Sequence, residues 1–127
     1  MKTILIIDDD SQLHEIYQRK FSEEGFKTLR ALTGQEGLAL VRSKPLDLII
    51  LDIMLRGNMN GFDILEQIKR DPEHSQIPVI VLTNLDSEEK VAKTIGAQDY
   101  LLKADTSLDE LVKRIKLHLC RQGDSNP

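Results

Sequence analysis

The chain has little cysteine, no excess of basic residues and no long apolar run. Cys120 is the single cysteine among 127 residues, so no internal disulfide can form and a reducing cytoplasm is the expected location. Lys plus Arg number 17 and Asp plus Glu 21, for a net charge of −4. That balance argues against direct nucleic-acid binding, which rests on neutralising phosphates with a cationic face. No apolar stretch approaches the ~20 residues that span a bilayer. The opening run Ile4 to Ile7 meets Asp8, Asp9 and Asp10 and does not read as a signal-peptide core. There is no fixed-period repeat and no low-complexity segment. What remains is 40% hydrophobic and 30% charged residues, the make-up of one globular domain.

Three short apolar runs, Ile4 to Ile7, Leu48 to Leu51 and Val79 to Leu82, have the length of strands buried on both faces. Phe26 to Ala31 is half polar and suits an edge strand. Tyr100 to Lys103 would place Tyr100 and Leu102 on one face and Leu101 on the other. Helical spacing links Leu13, Ile16, Tyr17 and Phe21 after a cap at Asp10 or Ser11. Thr33 and Glu36 read as a capping box before a helix carrying Leu38 and Val41. Leu65 and Ile68 mark a third helix after Gly61. Val91 and Ile95 mark a fourth, stopped by Gly96. Leu108, Leu111, Val112, Ile115 and Leu119 form the fifth. Strand and helix therefore alternate five times, the pattern of an α/β fold with a parallel sheet and helices on both faces.

In such a sheet the ligand site lies beyond the carboxyl ends of the strands, at the switch point of strand order. Asp8, Asp9, Asp52, Thr83 and Lys103 all fall at strand ends and are expected to meet there. Carboxylates brought together repel one another and raise their own pKa values. A hard divalent cation such as Mg2+ relieves the conflict with only one or two of them. An ammonium and a hydroxyl beside it suit a phosphoryl group, with one aspartate as nucleophile. His14, His74 and His118 lack metal-ligand spacing and read as surface residues.

Five segments in order, Ile4–Asp10, Asp47–Met54, Asn60–Phe62, Pro78–Thr83 and Gly96–Lys103, resemble the receiver domain of two-component response regulators, and the chain is similar to the chemotaxis response regulator. The likeness covers about residues 3 to 120. It implies a single-domain (βα)5, flavodoxin-like doubly wound sheet with strand order 2-1-3-4-5. The receiver would occupy 1–120, with 121–127 a polar C-terminal tail or the start of a linker. By the same likeness, Asp52 is the phosphoacceptor. Asp8, Asp9, Asp52 and the Met54 backbone carbonyl hold Mg2+. Lys103 pairs with the phosphoryl group, Thr83 is the switch hydroxyl and Tyr100 the aromatic residue that follows it. The donor is a sensor histidine kinase or a histidine phosphotransfer protein. Output passes through the helix 4, strand 5, helix 5 face, which also offers a homodimer contact. The target is a downstream protein or an effector domain beyond this chain. The implied role is signalling, not metabolic catalysis, with no cofactor besides Mg2+ and no membrane.

Several positions depart from the family pattern. Arg56 stands where proline is common, and the loop 57–61 is one residue longer. Asn84 follows Thr83 where a small residue is usual, and would restrict attacking water. Ala104 follows the lysine where the family carries a cis-proline. A cis bond before a non-proline costs ~3 kcal/mol, so the expectation is a trans bond with a rearranged loop, or a cis bond held by its surroundings. Two other readings use the same residues. A haloacid-dehalogenase-like phosphatase would take Asp8 as nucleophile and Asp10 as acid/base, leaving Asp52 idle. A binding-only pseudo-receiver would be expected to have lost its acids.

Overall fold

The structure, a computed structural model, describes residues 1–55 and 60–123, the last three by backbone alone. Arg56 and most of the 57–61 loop lie outside the described residues, as does the end of the 121–127 segment. Five strands, β1 (Thr3–Ile7), β2 (Lys27–Ala31), β3 (Leu48–Leu51), β4 (Val79–Thr83) and β5 (Asp99–Leu102), alternate with five helices. These are α1 (Ser11–Glu23), α2 (Gly34–Ser43), α3 (Gly61–Arg70), α4 (Glu89–Ile95) and α5 (Leu108–Gly123). All strands pair in parallel, in the order β2-β1-β3-β4-β5. This is the five-stranded doubly wound sheet that the alternation and the family likeness together imply.

Apart from the terminal Thr3 and Thr83, the inner strands are apolar because both faces are covered. Leu5, Ile7, Ile49, Leu51, Val79 and Val81 pack with residues of α2, α3 and α4. Ile4, Ile6, Leu48, Ile50, Ile80 and Leu82 pack with α1 and α5. Tyr100 and Leu102 fall in the first layer and Leu101 in the second, as strand alternation requires.

The starts of α1, α2 and α3 are set by side chains that satisfy the first amides. Asp10 caps α1 by accepting from the amides of Gln12 and Leu13. Thr33 accepts from Glu36 N, but the Glu36 carboxylate accepts from Leu32 N, one residue beyond the Thr33 amide that would close the box. The reciprocal box sits on α3 instead, between Asn60 and Asp63. Gly96 ends α4 at φ +136°, a backbone angle that disfavours any side chain.

Three expectations are corrected. His14 and His118 are not surface residues, being 1% and 7% exposed, whereas Ile16 is 48% exposed. The inward face of α1 runs through His14, Tyr17 and Phe21, because the His14 ring finds a hydrogen-bond partner in the Asp8 carbonyl at 2.7 Å. A buried imidazole is tolerated on those terms. Lys103 lies just beyond β5, opening a 3-10 turn over Lys103–Asp105. No cis peptide occurs among the described residues, so the Lys103–Ala104 bond is trans.

Candidate functional site

The winding direction reverses between β1 and β3, which are neighbours in the sheet. Asp8 follows β1 and Asp52 follows β3, so the two acids flank the switch point. Both are buried, at 3% and 5% exposure. Each holds one oxygen in a local turn. Asp8 Oδ1 accepts from Asp10 N, and Asp52 Oδ1 accepts from Met54 N, both at 2.9 Å. The other oxygen of each faces Lys103, whose Nζ lies 2.7 Å from both Asp8 Oδ2 and Asp52 Oδ2. The trans bond after Lys103 leaves its reach into the pocket intact.

Gly61 sets the floor of this loop. Its amide donates to the Ile53 carbonyl at 3.1 Å. A Cβ there would sit 2.1 Å from Ile53 Cα and 2.7 Å from the Asp52 carbonyl oxygen. Only glycine lets the start of α3 approach the backbone next to Asp52 so closely.

The electrostatics follow from burial and one shared cation. Burial pushes the Asp8 carboxyl above its ordinary value, outweighing the hydrogen bonds from Lys103 and the Asp10 amide. For Lys103, burial alone would lower the ammonium, but the hydrogen bonds to Asp52 and Asp8 reverse the sign and raise it. Tyr17 lies within the same field. Burial lifts its phenol to about 12, with the Asp8, Asp52 and Asp10 charges adding to the effect and Lys103 opposing it.

Thr83 is fully buried at the end of β4. Its Oγ1 accepts a long hydrogen bond from Leu85 N at 3.4 Å. The hydroxyl of Tyr100, itself buried, donates to the Leu85 carbonyl. One residue of the β4–α4 loop is thus tied to both. Asn84, between them in sequence, is exposed.

Among the described residues no three acid, histidine or cysteine side chains form a ready-made metal cluster. The expected trio resolves into Asp8 and Asp52 sharing Lys103, with Asp9 half-buried beside them and Asp10 spent on the α1 cap. The donor chemistry still fits a hard divalent cation. Two buried carboxylates face each other's charge with one ammonium between them, and Mg2+ needs no more than one or two carboxylate ligands. The Met54 side chain is 53% exposed, consistent with any contribution coming from its backbone alone.

Two features escaped sequence reasoning. His14 holds the Asp8 carbonyl from beneath, and no helix periodicity of apolar residues could reveal it. A second buried polar group, Asp99 with His118 and Arg114, lies at the opposite end of β5. A charged residue opening an apolar strand was its only signal.

A profile of the response regulator receiver domain matches residues 4–116. The response regulator SaeR of Staphylococcus aureus is 38% identical over 123 residues, 95% of this chain and 52% of SaeR. The transcriptional regulatory protein YvrH of Bacillus subtilis is 34% identical, over 97% of this chain and 51% of YvrH. The chain thus spans about half the length of these curated relatives. Among solved structures, a CheY-like receiver domain protein of Methanospirillum hungatei superimposes with a TM-score of 0.91 at 29% identity, covering 99% of both chains. The response regulator TrrA of Thermotoga maritima, in complex with Mg2+ and BeF, gives a TM-score of 0.83 at 28% identity, over 93% of this chain and 99% of that one. Alternating strands, a switch-point acid pair bridged by one lysine and a profile match over most of the chain lead to one assignment: this chain belongs to the response regulator receiver family of two-component signalling.

Proposed function

We propose that the chain receives a phosphoryl group on Asp52 from the phosphohistidine of a sensor histidine kinase or phosphotransfer protein, and signals by the resulting change of shape. The observation that carries this is the bridge of Lys103 to Asp52 and Asp8 at 2.7 Å each, at the switch point of the sheet. In the transfer, an Asp52 carboxylate oxygen forms the new O–P bond as the donor's N–P bond breaks, and the electron pair returns to the histidine nitrogen. Asp8, Asp9, Asp52 and the Met54 carbonyl would hold Mg2+, which when bound supplies charge neutralisation at the phosphoryl oxygens. Lys103 is placed to exchange Asp52 for a phosphoryl oxygen, since a phosphoryl group adds nearly two charges and three acceptors at that point. Thr83 would turn its hydroxyl from Leu85 N toward the new acceptor. The Leu85 link to Tyr100 carries that movement to β5, and so to a face made with α4 and α5. That face is the proposed output and dimer surface.

The phosphatase reading is not favoured, because it needs Asp10 as acid/base and the Asp10 side chain is engaged in capping α1. Beryllofluoride with Mg2+, the pair held by the Thermotoga structure, tests the proposal without turnover. It should bind one to one and shift the NMR amides of Thr83, Tyr100 and Lys103. Those shifts should vanish in Asp52→Asn. Unchanged binding in that variant would contradict the proposal.

A further inference from the structure

A cavity of about 220 Å3 lies between α1 and the edge strand β2, apart from the acid pocket. Its walls include His14 and Gln18, one turn apart on α1, and Thr28 and Arg30, which share the α1-facing side of β2. His14 is almost wholly buried, and its Nε2 lies 2.7 Å from the Asp8 carbonyl oxygen. Against a carbonyl, Nε2 must carry the hydrogen. In the neutral ring Nδ1 is then a bare acceptor, and it is buried with no partner. Gln18 and Arg30 are exposed and Thr28 is half-buried, and among the described residues none of these side chains makes a hydrogen bond or ion pair. An unpaired guanidinium, an amide, a hydroxyl and an orphaned ring nitrogen thus line one cavity, with no carboxylate in the lining.

A buried acceptor left without a donor is destabilising, so this nitrogen calls for a ligand that brings a hydrogen. Arg30 calls for negative charge, and Thr28 and Gln18 for oxygen acceptors. The volume equals the share of roughly seven liquid waters, room enough for a small ion. We propose that the cavity binds a small oxoanion that still carries a proton, of the hydrogenphosphate or hydrogencarbonate class. The anion's O–H would donate to His14 Nδ1, and its other oxygens would accept from Arg30 and Thr28. Through His14, the occupied site would stand one hydrogen bond from Asp8.

The test uses the isotope-labelled 127-residue chain without Mg2+, titrated at constant ionic strength with phosphate, bicarbonate or sulfate. The reporters are the His14 ring nitrogens and the amides of Gln18, Thr28 and Arg30. Reporters at Thr83 and Lys103 separate any phosphate that enters the acid pocket. Phosphate or bicarbonate should give saturable shifts at the cavity, and the better of the two identifies the ion. Sulfate has the shape and charge of hydrogenphosphate but no proton, and should bind at least about tenfold more weakly. Arg30→Gln, on an exposed edge position, should weaken binding by at least about tenfold. The proposal is overturned if neither ion shifts the cavity reporters and only water fills it, if sulfate binds equally well, or if Arg30→Gln binds like wild type. Asp52→Asn should bind as wild type does, so this site can fail without touching the receiver reading, and the reverse.

Discussion

Lys103 Nζ lies 2.7 Å from Asp52 Oδ2 across a sequence separation of 51 residues. The lysine sits in the first turn after β5, and the aspartate follows β3, two strands away. Because the same ammonium also serves Asp8, removing it strands two buried carboxylates. Lys103→Met should therefore lower stability by about 3 kcal/mol in buffer containing a chelator. A divalent cation that binds only the folded acids should recover part of this loss. Urea unfolding with and without Mg2+ measures both effects. A Lys103→Met variant that Mg2+ does not stabilise at all would show that the two acids do not form the metal site.

The far end of β5 makes stability depend on acid pH. Burial alone would raise the Asp99 carboxyl, but hydrogen bonds from His118, the Tyr100 amide and Arg114 outweigh it and hold the group below its ordinary 3.8. A carboxyl depressed in the folded state contributes stability above its unfolded value, and that contribution disappears as pH falls through the folded one. Asp99→Asn should cost about 2 kcal/mol at neutral pH. The gap from wild type should close progressively below 3.8. Thermal melts across that range test the sign.

Gly61 has no room for a methyl group against Ile53 Cα. Gly61→Ala should force the start of α3 away from the Asp52 loop, destabilising the fold by about 2 kcal/mol or more. It should also slow phosphoryl acceptance, since Asp52 sits on the displaced backbone. Equal stability and equal labelling would show that the approach is looser than drawn.

Asn84 is exposed and follows the buried Thr83 in sequence; on the proposed reading it hinders water approaching a phosphoryl group on Asp52. Asn84→Ala should shorten the lifetime of the phosphorylated form severalfold. The decay of the intact-mass adduct after removal of donor measures it, and an unchanged half-life would remove Asn84 from the mechanism.

Much of the fold and of the site is legible in the sequence. Runs such as Ile4 to Ile7 and Leu48 to Leu51 admit one explanation at their length, a strand covered on both faces. The acids and the lysine announced themselves by standing where those runs stop. The buried histidines did not, because an imidazole enters a core only when a carbonyl or carboxylate awaits it. Those partners, Asp8 for His14 and Asp99 for His118, become visible only once helix and strand are packed. Ile16 misled for the complementary reason: helical spacing defines a face but not which edge of that face the sheet will cover. The box at Asn60 and Asp63 went unread because its return bond comes from an aspartate, shorter than the usual glutamate.

The central claim is that Asp52 is the phosphoacceptor, and intact-protein mass after incubation with acetyl phosphate addresses it most directly. Wild type should gain a single phosphoryl group only when Mg2+ is present, and Asp52→Asn should gain none. An adduct that persists in Asp52→Asn but is lost in Asp8→Asn would contradict the account and restore the phosphatase reading. No adduct on wild type under any condition would mark the chain as a receiver that only binds partners.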